Sequence, residues 1–368
     1  MKVLRRFIYR EIALSVGFVT LAFLGLFFFF DLVDELRWVG RGAGGYQLTQ
    51  ALLYVALSLP QHLYELLPIT VLIGTIFVMA RLAQSSEFTI MRTSGLGPGR
   101  ALSTLLLLGS SFVALTFLIG DYVAPTSERA AQLVGVRHLG QLSTGATGAW
   151  LKERRGSHSR AINVRGLGTD GQMLGVRAFE FDERGRVAAT VTAERGEFDA
   201  SGEAWRLHQV QRSLFQRSKG DELQVQRTSE AELLWPTSIS PSMVAAAVLK
   251  PDKMPAIELF RYVRHLKANG QAAQRYEIEF WRKVFYPLSC LVMVVLSLPF
   301  AYLHFRSGGI AGYVFAGVMA GISFFLLNNL FGFVGNLRNW SPWITAAAPG
   351  LIYTAVSLAA FGWLVHRR

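Results

Sequence analysis

The sequence predicts an α-helical membrane protein with six transmembrane helices in a three-plus-three order, and an inserted all-β, jelly-roll-like domain between the two sets. Three observations predict it. The chain is 51% hydrophobic and 17% charged over 368 residues, with a mean hydropathy of +0.32, which is too apolar for a soluble protein of this size. Apolar stretches recur that are long enough to cross a hydrocarbon core about 30 Å thick, which takes roughly 20 helical residues. Residues 124–275 lack such stretches and instead show short alternating runs separated by turn signals.

The first span follows a basic start, MKVLRRFIYR, and Ile12 to Phe30 carries no charge. This run exceeds the apolar region of a signal peptide and passes into Asp31 with no small-x-small cleavage site, so it reads as an uncleaved helix. From Tyr46 to Ala80 the ionisable side chains are His62 and Glu65, with Pro60 and Pro68 placed to bend the helix or mark its entry. Counting about 20 residues back from Arg81 puts His62 and Glu65 near the far membrane surface, where snorkelling and a proton relay are the two readings.

Arg81 to Arg100, RLAQSSEFTIMRTSGLGPGR, separates the second and third spans. Phe88, Ile90 and Met91 have helical spacing, and Gly95, Gly97, Pro98 and Gly99 stop it, which predicts a short helix over about 84–95. Ser85 or Ser86 is placed to cap it, Glu87 suits the positive end of its dipole, and Gly95 suits a left-handed stop. A helix this short does not hold alone in water, since below roughly 12–15 residues isolated helices are marginal. It is either an ordinary loop element or a segment that docks on something else. The third span, Leu102 to Gly120, is uncharged and ends at Asp121-Tyr122.

Within the insertion, turns are predicted at Thr169-Asp170-Gly171, Asp182 to Gly185 and Asp199 to Gly202. Their regular spacing suggests a sandwich or jelly roll. After Pro255 the period changes: Ile257, Phe260, Val263 and Arg264, with Leu259 and Leu266, predict an amphipathic helix that stops at Gly270 and returns the chain to the membrane. Its basic face suits the membrane surface or packs on the β domain.

Three apolar stretches close the chain: Val284 to His304, Gly308 to Asn336, and Pro342 to Val365. Arg275-Tyr276 and Trp281-Arg282-Lys283 resemble an interfacial belt at the outer end of the fourth span. Gly317 and Gly321 form a GxxxG that lets helices approach closely, and Asn328 and Asn329 are placed to bond a neighbouring helix.

The net charge of +12 is spread along membrane flanks: Lys2, Arg5, Arg6, Arg10, Arg81, Arg92, Arg100, Arg306, Arg367 and Arg368 all fall on one side. By the positive-inside rule both termini and the Arg81–Arg100 stretch are cytoplasmic and the insertion faces the periplasm. Basic residues dispersed in this way do not make a nucleic-acid surface. The sequence holds no GxxxxGK[ST] loop, GxSxG elbow, HExxH or Cys/His cluster, and its single cysteine, Cys290, excludes an intrachain disulfide. No metal site or cofactor is expected in this chain.

LPITVLIGTIFVMAR, LAQSSEFTIMRTSGL and GDYVAPTSE, in that order, closely resemble the permeases of the lipopolysaccharide export system, the LptF/LptG family, and YVRHLKANGQAAQRYEIEFWRKVFYPLS is closest to its LptG branch. The resemblance covers essentially the whole chain. It implies a non-catalytic transport subunit in the bacterial inner membrane, paired with an LptF-type permease and served by an LptB-type ATPase dimer that holds the ATP and Mg. It also implies LptC beside it and a periplasmic bridge of jelly-roll proteins, LptA, that receives lipopolysaccharide. The loop between the second and third spans is then a coupling helix in a groove of the ATPase, a role carried to Ser86 and Glu87, with Arg92 as neighbour. Basic side chains at the outer end of the first span contact the lipid in that family, and Arg37 falls there. Neighbouring positions that are often basic are Asp31, Trp38 and Gln61 here, and Arg129 and Arg137, just beyond the third span, are the candidates for replacement charge. The rival readings are an ABC permease for another lipid cargo such as lipoprotein, a class that usually has four spans, and a membrane-anchored periplasmic scaffold.

Overall fold

A computed structural model describes residues 2–40, 46–95, 97–139, 149–155, 158–167, 171–199, 204–217, 223–248, 251–302 and 310–366. The chain divides into two compact units, one of residues 1–37, 55–128 and 277–368, the other of residues 38–54 and 129–276. Among the described residues six helical stretches are long and apolar enough to cross a membrane: Val3–Trp38, Leu48–Gln84, Pro98–Ala131, Gln274–Tyr302, Ala311–Leu337 and Pro342–Trp363.

The helices that build the first unit are α1 (Lys2–Glu35), α2 (Leu48–Gln84) from residue 55 on, the short α3 (Glu87–Thr93) and α4 (Pro98–Leu118), which continues through one π-helical turn, Ile119–Val123, into α5 (Ala124–Leu139), whose residues from 129 on belong to the second unit. After the insertion come α8 (Gln274–Phe285), α9 (Ser289–Tyr302), α10 (Ile310–Leu337) and α11 (Pro342–His366). The axis of the bundle is α2, whose most apolar window is 83% buried against 11% for α1. Pro60 and Pro68 both lie inside α2 without ending it. Its buried hydroxyls are satisfied within the bundle, Thr75 donating to the Val71 carbonyl (2.6 Å) and Thr20 of α1 to Thr70 (2.9 Å), as an apolar interior requires. Gly74 lets α1 and α2 cross closely, because a Cβ there would sit 2.8 Å from the Val16 backbone. The GxxxG of α10 packs against the same helix: Cβ atoms at Gly317 and Gly321 would meet Ile76 and Ile69 at 2.8 Å.

Two expectations change near the α4–α5 junction. The third span does not stop at Asp121, because the π-helical turn absorbs the polar residues and the helix runs on. Lys283 is not part of an interfacial belt either; it is buried, donating to the Gly120 carbonyl at 3.0 Å with its ammonium 5.6 Å from the Tyr64 ring centroid. A buried ammonium needs such partners. Gly120 also allows Tyr64 to approach, since any Cβ would fall 2.3 Å from the ring.

The second unit holds one six-stranded antiparallel sheet in chain order: β1 (Ala149–Arg155), β2 (His158–Leu167), β3 (Met173–Phe181), β4 (Val187–Asp199), β5 (Ala204–Arg217) and β6 (Leu223–Pro236). Register sets its core, aligning Leu151, Ile162, Ala178 and Val191 in one cross-strand row and Ala149, Val164, Val176 and Ala193 in the next, all buried. The β3–β4 turn forms at Asp182–Gly185 as expected. Asp182 accepts from the Arg184 and Arg186 amides at 2.9 and 2.8 Å, and these bonds, with the Arg186 guanidinium, hold its carboxyl below the usual range. Of the other two expected turns, residues 168–170 and 200–203 lie outside the described residues.

After β6, α6 (Pro241–Val248) and α7 (Ala256–Ala268) close the unit. Buried Glu153 of β1 holds the connection to α6, accepting from the Thr237 hydroxyl at 2.9 Å and from the Ser238 amide and hydroxyl at 2.6 and 2.8 Å. The Trp205 indole donates to the Ile239 carbonyl at 2.7 Å. As predicted, α7 starts after Pro255 and ends before Gly270, whose φ is +63°. Its buried side chains are Leu259, Tyr262, His265 and Leu266, whereas Ile257 and Phe260 are 55% and 50% exposed.

Candidate functional site

The stretch between α2 and α4 folds back on the bundle. Ser86 is left-handed at φ 61° and makes no side-chain cap, and the Ser85 hydroxyl turns back to the Leu82 carbonyl, so neither serine caps α3 as expected. The left-handed residue makes a sharp corner instead, and α3 begins with the Ile90 amide donating to the Ser86 carbonyl at 3.1 Å. At the other end Gly95 takes φ 101°, its amide donates to the Arg92 carbonyl at 3.0 Å, and Arg100 donates to the Gly95 carbonyl at 3.1 Å. Pro98 then opens α4 at its first turn, where a missing N–H costs nothing.

What α3 docks on within its own chain is visible. Phe88 and Met91 are buried in the main apolar cluster with Leu82, Ala101, Leu105, Leu298 and Tyr302. Phe88 meets the Tyr302 ring edge-on at 5.2 Å, and the Arg92 guanidinium lies 5.0 Å over the same ring. The cavity beside Phe88 measures only about 10 Å³, at the lower limit for a single water. Close by, Arg81 of α2 is paired with Glu11 of α1. The opposite face of α3 is exposed: Glu87, Thr89, Thr93 and Ile90, the last 62% exposed. Ile90 is the exposed apolar residue that periodicity misses, because spacing groups it with Phe88 and Met91 although the seven-residue helix turns it outward.

The other candidates stand at the end of α1 and on α2, α5 and α8. Arg37 pairs with Asp34 at 2.9 Å, both 72% exposed, an exposed pair worth at most about 1 kcal/mol and readily exchanged for another anion. Asp31 of α1 holds His62 of α2 at 2.7 Å, with the Phe27 ring tilted against the imidazole, centroids 4.8 Å apart. Gln61 donates to Glu65 at 2.7 Å. His62 and Glu65 are thus both in fixed pairs. Arg129, in the second unit, is clamped by both carboxylate oxygens of Glu258 at 2.5 Å, so its charge is already balanced on α7. Arg137 stands on α5, and its side chain lies outside the described residues. On the α8–α10 side Arg282 bonds Glu279 at 2.9 Å and Asn329 at 3.1 Å, which bears out the helix-to-helix reading of that asparagine. Among the described residues no group of His, Cys, Asp and Glu is placed to hold a metal ion.

Six apolar helices split three and three around an antiparallel sheet, with a docked turn between the second and third, can be set against known proteins. The model of the family "Lipopolysaccharide export system permease LptF/LptG" matches residues 6–363. The chain belongs to that family. Its relatives include the lipopolysaccharide export system permease protein LptG of Escherichia coli strain K12, 28% identical over 368 residues that cover 100% of this chain and 98% of the relative. The LptG protein of Haemophilus influenzae is 25% identical over 367 residues, 99% of this chain and 98% of the relative. As an LptF/LptG-family permease, the chain is a multi-pass inner-membrane protein and a permease subunit of the lipopolysaccharide export system.

Proposed function

We propose that this permease subunit is non-catalytic and is driven through α3 by a separate cytoplasmic ATPase of the LptB type, which holds the ATP and Mg. The observation that carries the reading is the two-faced seating of α3: Phe88 and Met91 lock it to the bundle while Glu87 and Ile90 stand exposed. A helix rigidly joined to the membrane core and presenting one acid and one large apolar side chain transmits force from a partner groove. Ser86 makes the corner that aims it, and Arg92 braces it from Tyr302. In this arrangement both termini and α3 are cytoplasmic and the sheet is periplasmic, in line with the basic flanks. An LptF-type subunit completes the membrane cavity, with LptC and the LptA bridge as periplasmic partners toward the outer membrane.

Energy input is required by the cargo. Withdrawing one acyl chain of about a dozen carbons from a bilayer opposes on the order of 10 kcal/mol, at roughly 0.8 kcal/mol per CH₂. Arg37, whose present partner is a weak exposed carboxylate, is the first candidate to take a lipopolysaccharide phosphate; Arg129 and Arg137 follow, Arg129 only if Glu258 yields. The test is Glu87→Arg in the purified complex. The proposal expects the permease to insert normally while ATPase co-purification and lipid release are lost. Unchanged ATPase association and release would overturn it.

A further inference from the structure

A surface in the second unit has chemistry that the function proposed above does not use. On α7, Ile257, Phe260, Arg261 and Arg264 are exposed and lie within an arc of about 100° at 3.6 residues per turn. Leu259, Tyr262 and Leu266 occupy the opposite arc and are buried. The only acid on the helix, Glu258, is taken up by Arg129, so the exposed arc carries cations without a carboxylate. Two large apolar side chains flanked by arginines are an unfavourable surface in water and a favourable one at a lipid headgroup layer, where the apolar tips bury and the guanidiniums meet phosphates.

Chain connectivity bounds how far this arc stands from a membrane span. Only Asn269–Ala273 separate α7 from α8, which opens the fourth membrane span at Gln274. Five residues reach roughly 20 Å at most when extended. The end of α7 is therefore tethered close to the interface that the span enters. Beside the arc, a groove of about 480 Å³ opens next to Arg261 and Arg264 with Met243, Tyr262, His265 and Glu258 in its wall, the Glu258 charge balanced by Arg129, leaving room for a headgroup.

We propose that α7 lies in the phospholipid headgroup layer of the membrane that the six spans cross, with Ile257 and Phe260 dipping between the chains and Arg261 and Arg264 on lipid phosphates. The helix thereby holds the root of the sheet at the bilayer surface. Nothing in this depends on which lipid the permease exports.

The test uses the complete transporter in nanodiscs of phosphatidylethanolamine and phosphatidylglycerol, with Ile257→Cys or, separately, Phe260→Cys carrying an environment-sensitive fluorophore. The native Cys290 is fully buried and supplies the unlabelled background. Both labels are expected to emit at shorter wavelength than in water and to lose emission to lipids bearing a shallow nitroxide, more with nitroxide phosphatidylglycerol than with nitroxide phosphatidylethanolamine. Arg261→Glu combined with Arg264→Glu is expected to abolish that preference. Labels that no nitroxide lipid quenches would overturn the proposal, and blue-shifted but unquenched labels would do so by assigning the face to another protein chain. A preference for phosphatidylglycerol that survives charge reversal would overturn the role of the arginines.

Discussion

Two short amphipathic helices adjoin membrane spans in this protein, and they expose different chemistry. The seven-residue α3 buries Phe88 and Met91 and turns out Glu87 and Ile90; the thirteen-residue α7 buries Leu259, Tyr262, His265 and Leu266 and turns out Ile257, Phe260 and two arginines. An acid beside one apolar side chain suits a shaped protein groove with a complementary cation. Apolar tips ringed by arginine suit a fluid anionic layer. On the two proposals above, the same device, an apolar stripe that anchors and an opposite face that recognises, serves a protein partner at one place and a lipid surface at the other.

The comparison can be broken most severely at the anchor of α3. Phe88→Ala empties a filled seat and is expected to destabilise that packing by about 3–5 kcal/mol, read as a lower unfolding temperature and loss of ATPase association together. Glu87→Arg leaves the seat intact and reverses the outward charge. Removing one partner of a buried interfacial charge pair costs about 2–5 kcal/mol, so ATPase affinity should fall tenfold or more with the unfolding temperature unchanged. Ile90→Ala removes an apolar contact worth about 1.5–3 kcal/mol if fully buried by the partner, seen as weaker ATPase binding without loss of fold.

Smaller effects sharpen the anchoring side. Arg92→Ala gives up a cation–π contact of about 0.5–1 kcal/mol on Tyr302, a modest loss of stability that Arg92→Lys partly restores. On the buried side of α7, desolvation pushes the His265 imidazole below its ordinary 6.5, with the Glu153 carboxylate opposing. The fold therefore favours neutral His265: its contribution is intact above about pH 6.5 and is lost as pH falls through the depressed folded value. Unfolding temperatures measured down to about pH 5 should drop more steeply for the native chain than for His265→Gln.

Long-range order was legible in the sequence because membrane spans and alternating strands leave periodic signatures. The six apolar helices, the Asp182–Gly185 turn and the start and stop of α7 all follow from residue type and spacing. Details that depend on what lies opposite were not. Spacing placed Ile90 with Phe88, but a corner at left-handed Ser86 decided which of them faces Tyr302. It placed Ile257 and Phe260 with Leu259, and only packing against the rest of the unit selected Leu259, Tyr262 and Leu266 for burial. Lys283 read as an interfacial charge because its partner, the Gly120 carbonyl, is 163 positions away in sequence. Asp121 read as a helix end because a π-helical turn leaves no signature in composition.

The central claim is that the exposed faces of α3 and α7 answer to different partners, and one labelling experiment addresses it directly. Ile90→Cys and Ile257→Cys, each beside a buried Cys290, are exposed to a membrane-impermeant maleimide in lipid nanodiscs and in lipid-free detergent, with and without the ATPase subunit. The account predicts that the ATPase protects the cysteine at 90 and leaves 257 unchanged, whereas lipid protects 257 and leaves 90 reactive. A cysteine at 90 labelled at the same rate with and without the ATPase would contradict it.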